Sequence, residues 1–89
     1  MQYDFTIELK EKLKKLYKHD RERYYITMKK IEQICNSDEL SIEHYKNLRH
    51  NMKDRKRVHI DKSFVLTFKY IKEKKFILFL DFDHHDNIY

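Results

Sequence analysis

The sequence predicts an α+β fold, a two-helix hairpin packed on one face of a small, mostly antiparallel four-stranded sheet. Three observations predict it. Two stretches of helical periodicity follow one another between residues 9 and 35. Three runs rich in Val, Ile and Phe follow near 55–61, 63–71 and 75–83. A short alternating segment, Tyr3, Phe5 and Ile7, supplies a strand ahead of the helices. The order is therefore βααβββ, and two consecutive amphipathic helices need a sheet on which to bury their apolar stripes.

Each element has a local reason. Leu9, Leu13, Leu16 and Tyr17 recur at helical spacing, and Asp20 is placed to cap a second helix with Tyr24, Met28, Ile31 and Cys35 on one face. Asn36, Ser37 and Asp38 end that helix. The chain has no Gly and no Pro, so Asn, Asp and Ser must make its turns. Residues 39–54 lack apolar periodicity and read as a basic loop anchored by Ile42, Tyr45 and Leu48. Asp61-Lys62 and Lys72-Glu73-Lys74 separate the last three strands.

Side-chain alternation divides those strands into two faces. Val58 and Ile60, then Phe64, Leu66, Phe68 and Tyr70, then Phe76, Leu78, Leu80 and Phe82 are expected to cover the helices. Each large side chain buried there contributes about 1.5–3 kcal/mol. Arg55, Arg57, His59, Thr67, Lys69, Asp81, Asp83 and His85 then fall on the opposite, open face.

The 89 residues suit one domain spanning 1–89. Hydrophobic residues make up 40% and aromatic residues 15%, enough for a core and against disorder. One cysteine, Cys35, excludes an intramolecular disulfide and a cysteine-rich zinc site, and its apolar setting suits an inert thiol. The longest apolar run, residues 76–80, is far too short to span a bilayer, and the N-terminus lacks signal-peptide architecture. The cytoplasm is the expected location, with no membrane partner. The net charge of +5 is unevenly spread. Residues 41–75 hold eleven Lys/Arg against four Asp/Glu, whereas residues 1–40 hold nine against eight. Such a concentration attracts a polyanion.

The open face carries residue types suited to cutting RNA. RNA supplies its own nucleophile, the 2′-OH, so cleavage needs a base, an acid and positive charge on the phosphate, and no metal. Histidine suits both proton transfers, and arginine's planar fork suits the phosphate. The candidates are His59 and His85 for acid and base, Arg57 and Arg55 for phosphate, and Tyr89 for stacking or proton transfer. Asp81, Asp83 and His85 also share a face in the manner of metal ligands, but no spaced Cys/His framework accompanies them, so neither a metal nor another cofactor is expected.

Residues 48–89 resemble the RelE superfamily, closest to its RelE/YafQ-type branch. The residues that carry the resemblance are Asn51-Met52-Lys53-Asp54-Arg55-Lys56-Arg57-Val58-His59-Ile60, then Ser63-Phe64-Val65-Leu66-Thr67-Phe68-Lys69, then His84-His85-Asp86-Asn87-Ile88-Tyr89. In that branch a basic loop leads into an Arg-x-x-His-Ile-like strand, and the chain closes on His, three residues, then Phe or Tyr. The chain departs from the branch at Arg57 and Ser63, where some relatives are acidic, and near Asn51 and Asp54, where glycine is usual. The resemblance implies a RelE-like βααβββ fold and a toxin endoribonuclease that cuts mRNA, typically at the ribosome, inhibiting translation. It implies a RelB/DinJ-like antitoxin as partner. It would make His59, His85, Tyr89 and Arg57 catalytic and set Arg49, Lys53, Arg55, Lys56 and Lys69 against the RNA backbone. A non-catalytic basic binding module or a ParE-type gyrase-directed toxin would share the fold. Everything in the nuclease reading requires the side chains at 57, 59, 85 and 89 to converge in one open hollow turned away from the helices.

Overall fold

The computed structural model describes residues 1–48 and 54–88, the last of these by its backbone. Its elements are β1 (Gln2–Phe5), α1 (Ile7–His19), α2 (Arg21–Cys35), a short α3 (Glu39–Glu43), β2 (Lys56–His59), β3 (Phe64–Ile71), β4 (Phe76–His84) and a terminal turn of helix, α4 (His85–Ile88). The sheet order is β1-β4-β3-β2. β1 runs parallel to β4, and the other two pairings are antiparallel. The predicted α+β arrangement is therefore present, with the helices on one side of a mixed sheet.

Short polar side chains do the work that glycine would otherwise do. Thr6 caps α1 by accepting from the Leu9 N–H. Asp20 ends α1 through its own N–H to Leu16 O and caps α2 by accepting from Arg23 N, so a single residue makes the hairpin. Asp61 turns β2 into β3 by accepting from the N–H groups of Ser63 and Phe64. Residues 39–43, expected as loop, form α3 because Asp38 caps it at Ser41 N and Ile42 is driven into the core. Leu48 is buried and Tyr45 packs edge-on against Phe68 at 5.4 Å, so these two residues anchor the connection. β2 is shorter than the predicted 55–61, and Ile7 opens α1 instead of extending the first strand.

The core joins Leu9 and Leu13 of α1, Ile31 and Ile34 of α2 and Ile42 of α3 to Leu66, Phe68, Ile77, Phe79 and Phe82 of the sheet. This corrects the alternation expected for β4. Phe76, Leu78 and Leu80 do not face the helices; Ile77 and Phe79 do, and both are fully buried. The cause is a register shift. Thr67 pairs with Asp81 while the next residue, Phe68, pairs with Phe79, so Leu80 is an extra residue on β4. A β-bulge of this kind resets alternation. Before it, odd-numbered residues of β4 point inward; after it, the even-numbered Phe82 does. Paired residues share a face, so Phe76 with Ile71 and Leu78 with Lys69 lie on the open side.

Lys75 ends the turn between β3 and β4 with φ 49° and ψ 48°, the left-handed region. That conformation costs a residue bearing a Cβ about 1–2 kcal/mol. Lys75→Gly should leave the urea midpoint unchanged or raise it despite losing the Lys75–Glu39 ion pair. Lys75→Val should lower stability by about 1 kcal/mol or more, since β-branched residues tolerate positive φ worst. Chemical denaturation of both variants checks the turn.

Candidate functional site

The open face is built in rows across three strands. Arg57 pairs with Thr67, which pairs with Asp81; His59 pairs with Val65, which pairs with Asp83. Val65 and Thr67 form the floor and are 0% and 3% exposed, although Val65 lies outside the core cluster on the helical side. Arg57 and His59 stand on one flank of that floor, Asp81 and Asp83 on the other.

α4 brings in the second imidazole. The N–H of His85 bonds to Ser63 O at 2.6 Å, and Asn87 Nδ2 donates to Asp83 Oδ1 at 3.1 Å. The His59 and His85 rings come to 5.9 Å between centroids, tilted by 31°. Both histidines are exposed, whereas Arg57 is half-buried with its Nε shielded from solvent. Asp86 Oδ1 lies 3.2 Å from the Nδ1 of His85. His84, the last residue of β4, packs edge-on against Phe64 at 5.5 Å and accepts from Asp86 N–H through Nδ1.

Three of the four side chains expected to converge, those of Arg57, His59 and His85, therefore lie together on the face away from the helices. The fourth, Tyr89, lies outside the described residues, as do Arg49 and Lys53. Arg55 is exposed at the head of β2. Lys69 lies on the open face, paired with Asp54 at 3.3 Å. Lys56 departs from its expected place. It pairs with Phe68, so it points inward, and its ammonium donates to Tyr45 O and Asn47 Oδ1 at 3.1 Å and to Glu43 O at 3.4 Å. Those acceptors replace the water that a buried ammonium loses, and they tie residues 43–47 to the sheet. Lys56 is a structural residue, turned away from any phosphate on the open face.

Sequence reasoning missed the groups that steady this face from behind. Lys12 of α1 reaches Asp81 at 2.8 Å and Asp83 at 3.2 Å. Partial burial would lower its pKa, but the two carboxylates outweigh that and hold it above the ordinary lysine value. Asp83 sits below the usual carboxylate range through Asn87 first, with the His84 N–H and Lys12 adding to the effect and partial burial opposing it. Arg23 of α2 bonds to both Asp20 and Asp61 at 2.9 Å, joining the helical hairpin to the β2–β3 turn, and it lies 4.3 Å over the Phe64 ring. No spacing rule in the sequence links residues 12 and 83 or 23 and 61. Among the described residues, no group of three or more His, Cys, Asp or Glu is placed to hold a metal ion, and no helix is long and apolar enough to cross a membrane.

A helical hairpin lies on one side of a β1-β4-β3-β2 sheet, with an arginine and two histidines on the other side. No protein-family model matches the chain. Over 77 residues it is 52% identical to a Methanocaldococcus jannaschii protein named "Putative toxin RelE4", an alignment covering 86% of this chain and 78% of the relative. The "YoeB/ParE toxin from Agrobacterium tumefaciens" superposes with a TM-score of 0.78 at 10% identity, covering 96% of this chain and 99% of that one. YafQ from E. coli strain BL21(DE3) gives 0.67 at 15% identity, covering 99% and 97%. The two structural likenesses carry the fold alone. The chain belongs to the RelE toxin family. It is a toxin of a toxin–antitoxin system, and that family implies an antitoxin partner.

The carboxylates give the fold a definite acid response. Partial burial raises Asp61, but Arg23 and the N–H groups of Ser63 and Phe64 outweigh it and leave the carboxyl below its ordinary value. Asp61 and Asp83 are thus more acidic folded than unfolded. The stability they add is fully present above the ordinary value of 3.8 and is lost as the pH falls through their lower folded values. Urea midpoints should fall between about pH 5 and pH 2, and Asp61→Asn should flatten that slope.

Proposed function

We propose that this toxin is an mRNA endoribonuclease, acting at the ribosome in the cytoplasm and restrained by a RelB/DinJ-like antitoxin. The observation that carries the reading is the approach of the His59 and His85 rings to 5.9 Å on an open face, with Arg57 in the adjacent row. One imidazole takes the 2′-OH proton. The 2′-oxygen then attacks phosphorus, the bond to the 5′-oxygen breaks, and the other imidazole gives that oxygen a proton. The products are a 2′,3′-cyclic phosphate and a 5′-hydroxyl. Arg57 meets the charge that builds on the non-bridging oxygens. Tyr89 would stack on a base or share in proton transfer. Arg49, Lys53, Arg55 and Lys69 would contact the RNA backbone.

His85→Ala should lower the cleavage rate about 100-fold or more, as loss of a general acid–base group does. It should also abolish growth inhibition on induction while leaving the thermal transition within a few degrees of the parent. Chelator should not change the parent's cleavage rate. A folded His85→Ala protein as toxic as the parent would point to a non-catalytic binding module or a gyrase-directed toxin.

A further inference from the structure

The proposed RNA site has an awkward neighbour. Asp81 and Asp83 form one flank of the floor on which the sugar–phosphate backbone would lie. Two carboxylates beside a polyanion oppose its approach, and like charges placed together are a means of excluding partners. Asp83 has a structural task there, because it accepts from Asn87 and so steadies α4, the element that opens with His85.

Lys12 reaches this flank from the helical layer. β1 pairs with β4 only over residues 76–79, so the edge of β4 beyond the bulge is left clear of strand. α1 runs beside that stretch, pinned where Thr6 N–H donates to Phe79 O and the Thr6 hydroxyl donates to Leu80 O. Lys12 then meets both carboxylates with one ammonium. Among the described residues, the charged or titratable groups that share this face with them include Arg57, His59, His85 and Asp86, and further along it Lys69 with its partner Asp54.

We infer that Lys12 is a positioning residue for the RNA site, cancelling charge on the Asp81–Asp83 flank so that the RNA backbone can lie against it without Lys12 touching phosphate. The inference rests on the open-face RNA reading and adds to it a specific electrostatic device outside the Arg/His cluster.

The test is binding of a short fluorescent 2′-O-methyl RNA, which lacks the nucleophile and cannot be cut. Titrations at low salt compare the parent with Lys12→Met, Lys12→Arg, Asp81→Asn and the double variant Lys12→Met/Asp81→Asn. Lys12→Met should bind about three- to tenfold more weakly, because the uncovered carboxylates act at short range in weakly screening solution. Lys12→Arg should match the parent. The double variant should recover to within about twofold, because one of the uncovered charges is gone. Equal binding by Lys12→Met overturns the inference. So does a double variant as weak as the single one, which would mean that Lys12 contacts phosphate directly. Should Lys12→Met fail to fold, Asp81→Asn alone remains decisive: it should bind about two- to threefold more tightly than the parent, and unchanged or weaker binding overturns the inference. A parent chain that does not bind the RNA removes the nuclease reading and the role of Lys12 together. A parent that binds while the variants do not follow this pattern removes the role of Lys12 alone.

Discussion

The structure depends on one extra residue in β4. Ile77 and Phe79 share a parity with Asp81 and Asp83, so an uninterrupted strand that buried the first pair would bury the second. An unpaired carboxylate in a hydrophobic core is costly enough to unfold a small domain. The bulge at Leu80 removes the conflict by changing the parity of everything after it. Ile77, Phe79 and Phe82 can then all meet the helices, while Asp81 and Asp83 stand on the open face across from Arg57 and His59. The bulge is also where the head of α1 attaches, through Thr6 to Phe79 and Leu80.

The two faces are held in register by cations that cross between layers. Arg23 links the Asp20 turn of the helical hairpin to the Asp61 turn of the sheet. Lys56 binds the connection after α3 to the underside of β2. Lys12 passes from α1 to the carboxylates at the end of β4. These contacts do for this chain what glycine-shaped turns do elsewhere, fixing where loops enter and leave the sheet. The antiparallel pairing of β2, β3 and β4 places His59 and His85 at the same end of the open face, one at the close of β2 and the other just past β4.

Much of this was legible in the residues, for identifiable reasons. Leu9 and Leu13, and Ile31 with its neighbours on α2, repeat at helical spacing, and strong periodicity is the most dependable signal of an element. β2 and β3 follow simple alternation, so Arg57, His59 and Thr67 could be assigned to the open face in advance. Alternation failed in the first half of β4 because Phe76 to Leu80 are all apolar. A run of that kind fits either face and hides a bulge. α3 escaped notice because five residues hold too little periodicity to separate a helical turn from a loop. Lys56 read as one more basic residue in a basic stretch; its inward turn follows from its parity with Val58 and Ile60 and from acceptors supplied by residues 43–47. Lys12 and Arg23 act across more than thirty residues of sequence, where spacing holds no information.

As a RelE-family toxin, the chain offers its partner and its target two chemically different sides, an apolar-cored helical layer and a charged sheet face. On the proposed function, RNA occupies the sheet face, against Arg57, His59 and His85. The direct measurement is an amide and imidazole NMR titration of the isotope-labelled protein with an uncleavable 2′-O-methyl RNA. The largest shifts should fall on residues 57–59, 65–67 and 83–87, with little change on the exposed side of α1 and α2. Shifts confined to the helical layer, with His59 and His85 unmoved at saturation, would contradict the claim.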